Sequence, residues 1–222
     1  MSDSLDAIEI ETGPAPTHTL IVLHGLGADG NDFVPVCEAL DLSPLGAVRY
    51  LLPHAPVRPV TINNGYRMRA WYDIIGTNLV RREDEVGLRQ SQADIEALIE
   101  RERNRGIAPE RIVLMGFSQG CAMTLQTGLR YRDRLGALVG LSGYLPLATT
   151  LPAECSDANR LTPIFMAHGR ADPMVTIDRA EASRDALRAM GYDVDWHDYP
   201  MPHSVCPQEI ADLNRWLLRV LA

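Results

Sequence analysis

Residues 111–125 read RIVLMGFSQGCAMTL. The first half, Arg111 to Met115, is an apolar run of the length of a buried strand. Gly116-Phe117-Ser118-Gln119-Gly120 then sets one serine between two glycines, and Cys121, Ala122, Leu125 and Leu129 follow at helical spacing. A G-x-S-x-G pattern that closes a strand and opens a helix is the signature of a nucleophile elbow. Glycines without a Cβ let the helix start close against the sheet, while the serine is held in a strained conformation with its Oγ exposed. The plain alternative is a serine that merely caps an ordinary helix. What lies around the elbow decides between them.

Working outward, short apolar runs alternate with helical patterns. The strands expected are Thr19 to Leu23, Val48 to Leu52, Arg111 to Met115, Ala137 to Leu141, Ile164 to Ala167 and Val194 to Tyr199. Helices are expected over Asp32 to Leu40, about Glu85 to Arg105, after Ser118, over Ala180 to Met190, and from Pro207, whose fixed φ suits a first turn. In the second of these, Leu88, Ile95, Leu98 and Ile99 recur on one face and RERNR supplies a solvated, charged end. Alternation of this kind predicts an α/β fold, a mostly parallel central sheet with helices on both faces. No repeat, low-complexity tract or Pro/Gly linker divides the chain, so residues 1–222 are expected to form a single domain. Two long stretches, LPHAPVRPVTINNG and YLPLATTLPAECSDANRLTP, read as loops of the kind that build sites.

Composition removes several function classes. The formal net charge of −8 argues against nucleic acid, which needs a concentrated positive surface. All 21 basic residues are arginine, and without lysine the pyridoxal phosphate enzymes, Schiff-base aldolases and lysine-dependent phosphate loops drop out. The start, MSDSLDAIEIE, is polar and acidic, and no run approaches the ~18 apolar residues of a membrane span, so a soluble cytoplasmic protein without stable membrane insertion is expected. The four cysteines are scattered without a C-x-x-C pair, which fits free, mostly buried thiols.

A serine hydroxyl is a poor nucleophile until a base takes its proton. On an elbow scaffold the chain order is Ser, then Asp or Glu, then His, which restricts the base to the three histidines beyond Ser118. His168 ends a strand, His197 alternates within VDWHDY as a sheet-face residue, and His203 lies in the short loop PMPHSVCPQE where a ring can swing over the nucleophile. His203 is the base chosen. Asp172, in the loop after the strand ending at Ala167, is the carboxylate that would fix its tautomer; Asp195 and Asp198 fall inside a strand pattern and Asp178 inside a helix. Attack on an ester creates an oxyanion, which backbone N–H groups of Gln119 and Leu26 would meet. Because these are backbone donors, the two side chains are only weakly prescribed.

Gly25-Leu26-Gly27-Ala28-Asp29-Gly30 is also a literal G-x-G-x-x-G after a strand. A dinucleotide site would need an acidic residue at the end of the next strand to hold the ribose, and that strand runs into Pro53-His54 instead. Asp29 would further set a carboxylate beside the pyrophosphate.

LHGLGADGNDF, GYRMRAWYDI, GFSQG, LSGYLP, AHGRADPMV and YPMPHSVC, in this order across nearly the whole chain, resemble the acyl-protein thioesterase/carboxylesterase family of α/β hydrolases, its bacterial carboxylesterases in particular. The resemblance implies an α/β-hydrolase fold with little or no lid, a Ser118, Asp172, His203 triad, an oxyanion hole at Leu26 and Gln119, and hydrolysis of carboxylic esters, lysophospholipids or S-acyl thioesters with no cofactor and no metal. Homodimers are common among such relatives. Cys121 departs from the glycine or small residue usual after the elbow and is expected to pack beneath it. For the small-molecule acyl ester, Trp71, Met68 and Leu145, with Leu147, are the candidate walls, core packing being the other reading for Trp71 and Met68. Without a basic patch to grip anionic membranes, short or medium acyl esters fit better than bilayer lipid.

Overall fold

The computed structural model describes residues 5–76 and 83–222. In chain order its strands are β1 (Ala7–Glu11), β2 (His18–Leu23), β3 (Val48–Pro53), β4 (Val57–Val60), β5 (Tyr66–Arg69), β6 (Ile112–Phe117), β7 (Ala137–Leu141), β8 (Ile164–Gly169) and β9 (Val194–Tyr199). The helices are α1 (Val34–Ala39), α2 (Glu85–Asn104), α3 (Gln119–Gly128), α4 (Leu151–Glu154), α5 (Ile177–Ala189) and α6 (Pro207–Leu221). Seven strands form one sheet in the order β1-β3-β2-β6-β7-β8-β9, and every pairing is parallel except β1 with β3.

A parallel sheet is covered on both faces, so its inner strands are apolar at every position rather than at alternate ones. Strand β2 illustrates this. Leu20 and Val22 pack on the side of α1 and α6 with Val113, Met115 and Trp216, while Ile21 and Leu23 pack on the opposite side with Leu88, Ile95 and Leu125 of α2 and α3. Burying one leucine of this kind contributes about 2 kcal/mol, and the two clusters together hold the sheet.

Several sequence expectations need correction. The acidic start contains an edge strand: in AIEIE, Ile8 and Ile10 pack against the sheet while Glu9 and Glu11 point to Arg101, Arg105 and Arg49. The stretch read as one loop, LPHAPVRPVTINNG, holds β4, which pairs with β5 in a separate two-stranded hairpin. Proline is tolerated in so short an edge strand, as at Pro59. The second loop contains the single turn α4. Finally, the RERNR end of α2 is not wholly solvated. Glu102 is fully buried, and it accepts from Thr19 Oγ1 at 2.8 Å, Arg49 Nη1 at 2.7 Å and Arg105 Nη1 at 3.0 Å. A buried carboxylate is tolerated there because each of its two oxygens finds a donor, two of the three donors being arginines.

Candidate active site

The parallel strands β2, β6, β7, β8 and β9 all end on one edge of the sheet, and the loops that leave them converge there, where ligands bind in open α/β sheets. Strand β6 ends at Phe117, and Ser118 follows with φ +55° and ψ −114°, a conformation that costs an L-residue on the order of 1–3 kcal/mol. The neighbours enforce it. A Cβ on Gly116 would sit 2.1 Å from the carbonyl oxygen of Gly120, and a Cβ on Gly120 would sit 2.0 Å from that of Leu23. The two glycines of the motif are therefore what allows α3 to leave the sheet so steeply.

Two further loops are drawn together by their backbones. After β8, the N–H of Arg170 donates to Tyr199 O at 2.8 Å and that of Ala171 donates to Met201 O at 3.1 Å, so the acid loop is zipped to the loop that carries His203. Gly169 permits the approach, because a Cβ there would fall 2.4 Å from both Met201 O and Pro202 O. The result is a chain of three side chains. The carboxylate Oδ2 of Asp172 accepts from His203 Nδ1 at 2.6 Å, and His203 Nε2 lies 2.9 Å from Ser118 Oγ. With Nδ1 donating to the carboxylate, the lone pair of Nε2 faces the hydroxyl. The other oxygen of Asp172 accepts the N–H groups of Met174 at 2.8 Å and Val175 at 3.0 Å. The ring of Phe117 tilts against that of His203, 4.8 Å between centroids.

Of the rival residues, His197 stacks on Phe165 at 4.8 Å and pairs with Asp195, Asp198 pairs with Arg170, and Asp178 lies in the first turn of α5. None enters the triad contacts. His168, however, lies 3.4 Å from Asp172 Oδ2.

Leu26 and Gln119 both border Ser118. No backbone acceptor takes the N–H of Leu26 among the described residues, and Gln119 opens α3, where the first N–H groups have no partner in the preceding turn. Contrary to expectation, the side chain of Gln119 is strongly prescribed. Its Oε1 accepts from Trp71 N at 2.8 Å and its Nε2 donates to Tyr72 O at 2.7 Å.

Around these groups opens a cleft of about 740 Å³. Phe33, Val36, Ile62, Tyr72, Ile74, Phe117, Tyr144, Met174 and Val205 give it apolar lining, with Asp32, Asn63 and Ser204 as polar points. None of the four expected walls, Trp71, Met68, Leu145 and Leu147, is among its lining. Trp71 is completely buried because its N–H, its Nε1 and its carbonyl are all engaged, with Gln119, His24 and Ser91. Leu145 is packed in the core with its N–H on Ser183 Oγ, and Leu147 likewise, its N–H on Glu83. Met68, on the hairpin, takes Asn63 Nδ2 at 3.4 Å. From this segment the side chain that lines the cleft is the one after Trp71, Tyr72. Its hydroxyl is 2.7 Å from that of Tyr144, a buried pair that no local sequence pattern would have found.

Gly25 to Gly30 builds a wall of the cleft rather than a cradle for phosphate. Gly27 takes φ +76°, Gly30 packs where a Cβ would meet Leu52 O at 2.5 Å, and Asp29 caps the short turn that follows. Cys121 packs beneath the elbow against Gly140 and Gly143, and burial pushes its thiol up to about 12, which keeps it protonated and inert. Among the described residues no group of three or more His, Cys, Asp or Glu side chains is placed to hold a metal ion.

The phospholipase/carboxylesterase family model spans residues 6–221. The chain belongs to that family. It is 42% identical over 214 residues to the acyl-protein thioesterase 1 of Gibberella zeae, covering 92% of this chain and 91% of that one, and 39% identical to that of Yarrowia lipolytica, covering 95% of each. Among solved structures it is similar to Arabidopsis thaliana SOBER1, with a TM-score of 0.87 at 31% identity over 92% of this chain and 99% of that one. Zea mays acyl-protein thioesterase 2 gives 0.83 at 30% identity over 98% and 100%. The family fixes the α/β-hydrolase fold and the carboxylic ester hydrolase class.

Proposed function

We propose that this member of the family is a serine carboxylesterase that works through an acyl-enzyme on Ser118, in the cytoplasm, on soluble oxyesters or thioesters of short to medium acyl chain. One observation carries the reading: His203 is within hydrogen-bond reach of Ser118 on one ring nitrogen and of Asp172 on the other. Ser118 Oγ attacks the carbonyl carbon and gives its proton to His203 Nε2. The resulting oxyanion is met by the N–H groups of Leu26 and Gln119, and the dipole of α3 adds to their field. His203 hands the proton to the departing alcohol or thiol as the acyl–enzyme bond remains. A water then repeats the sequence on the acyl-enzyme, and the acid leaves with Ser118 restored. Among the described residues no helix is long and apolar enough to cross a membrane, and the acidic surface offers no grip on anionic lipid, which favours a dissolved substrate.

Ser118→Ala should abolish turnover of an aryl ester while leaving the melting curve in place, and a fluorophosphonate should label only the unmodified chain. Failure to label would return the chain to the class of ligand-binding scaffolds without turnover. A second reading, deacylation of long-chain lysolipids or S-acylated proteins, is favoured by the names of the curated relatives, both acyl-protein thioesterases. Rates over a series of acyl lengths, each offered as oxyester and thioester of one leaving group, separate the two. A maximum at short chains supports the first and a maximum at long ones the second.

A further inference from the structure

His168 fell away as the general base, yet the structure sets it against the triad. It stands near the end of β8, four positions before Asp172, and is 1% exposed. Its Nε2 lies 2.8 Å from the carbonyl oxygen of Val175 and 3.4 Å from Asp172 Oδ2. A carbonyl oxygen only accepts, so Nε2 carries the hydrogen. The plane of the ring is set by Trp196 of β9, parallel within 12° at 6.4 Å. Val175 is thereby held at both ends of its backbone, its N–H on Asp172 Oδ1 and its carbonyl on His168.

We propose that His168 is a positioning residue: its Nε2–H ties the turn of residues 172–175 to the end of β8 and so keeps Oδ2 of Asp172 on Nδ1 of His203. This rests on the triad reading above. The carboxylate needs such support because its hydrogen bonds are all to N–H groups of loop residues, and its side chain is wholly buried with no arginine paired to it among the described residues. His168 does not line the cleft, so it acts through Asp172 rather than on substrate.

The position also demands a neutral ring. Two charged imidazoles on one carboxylate would compete, and His203 must carry the proton during turnover. The charged or titratable groups around His168 are Asp172, His203, Glu181 of α5 and, over the face of Trp196, Arg184. Burial is the largest influence and holds its pKa below the ordinary histidine value, against the pull of Val175 O and Asp172.

The test compares His168→Leu, which removes the donor, with His168→Gln, whose amide nitrogen can reach the same carbonyl. For the leucine variant kcat on an aryl ester should fall about tenfold to a hundredfold with KM little changed, as expected for misplaced catalytic groups. Fluorophosphonate labelling should slow in parallel, and glutamine should restore most of the loss. A leucine variant with wild-type kcat overturns the proposal, as does glutamine as impaired as leucine at equal melting temperature. Should leucine fail to fold, His168→Asn, polar but one bond shorter, takes its place, and a wild-type rate there counts against it equally. Absence of labelling in the unmodified chain would instead overturn the triad reading, so the two failures are told apart.

Discussion

Gln119 holds Trp71 from below, its amide oxygen accepting the Trp71 N–H while its amide nitrogen donates to the carbonyl of Tyr72. The residue whose backbone N–H is proposed to meet the oxyanion thus also fixes the irregular segment that presents Tyr72 to the cleft. Gln119→Ala leaves a buried N–H and a buried carbonyl without partners, a loss of about 1–3 kcal/mol each. Urea unfolding should show the drop, and kcat should fall although Ser118, His203 and Asp172 are untouched. Gln119→Glu should lose more activity than alanine, since it removes the donor to Tyr72 and sets a negative charge beside the developing oxyanion. Equal activity in the two variants would count against the electrostatic part of this account.

The elbow glycines give a sharper steric expectation. In Gly120→Ala the new methyl would start 2.0 Å from Leu23 O and 2.8 Å from His24 O, both backbone atoms of the strand and loop beside the nucleophile. Backbone cannot swing aside, so α3 must shift or the chain must fail to fold, and a cost above about 3 kcal/mol follows. Gly65→Ala, with open space around its Cβ, is the control, its only penalty being the φ of +76°. Melting temperatures of the pair, with soluble yield, decide the matter.

How much was legible beforehand follows the kind of signal each residue carried. Ser118 announced itself because an elbow needs glycine at fixed offsets, and His203 and Asp172 because chain order and loop position leave few rivals. Inner strands such as β2 and β6 were visible as apolar runs buried on both faces. Strand β1 was hidden because, at an edge, its period-two pattern is carried by two isoleucines between glutamates and reads as polar. The walls of the cleft were missed for a different reason. Whether Trp71 or Tyr72 faces the opening depends on the turn of a single residue in an irregular segment, set by contacts 47 or more positions away in Gln119 and His24. Glu102 was misread because a glutamate in a charged run looks solvated until Thr19 and Arg49 arrive from neighbouring strands.

The cysteines should separate cleanly by accessibility. Cys37 and Cys121 are buried and burial pushes both thiols up to about 12, whereas Cys155 and Cys206 are partly exposed. Since the thiolate is the reactive form, a maleimide should modify the latter two on the native protein and all four only after unfolding. Cys121→Ala, which removes one sulfur from the packing beneath the elbow, should cost about 1 kcal/mol of stability and leave esterase activity nearly intact. Loss of labelling at Ser118 in that variant would mean that the thiol shapes the elbow rather than filling it.

Glu209 supplies a pH dependence whose sign can be worked out. It is fully buried in the first turn of α6, directly after the loop that carries His203; among the described residues Oε2 accepts only the N–H of Cys206 at 3.4 Å, and Oε1 has no partner. Burial raises its pKa from the ordinary 4.5 to about 8, the single hydrogen bond opposing this weakly. Between those values the unfolded chain releases a proton that the folded chain keeps, so the folded state binds more protons and stability falls as pH rises. The contribution is fully present below about pH 4.5 and is lost progressively up to about pH 8, at no more than about 1.4 kcal/mol per pH unit. Glu209→Gln keeps an acceptor for Cys206 N but cannot ionise, so it should gain on the unmodified chain as pH increases. Urea unfolding of both proteins at pH 5 and pH 8 gives the comparison, with the variant's advantage larger at pH 8. An advantage that stays constant, or shrinks, would show that the carboxyl ionises as readily in the fold as outside it, and that the start of α6 beside His203 is wetter than its packing indicates.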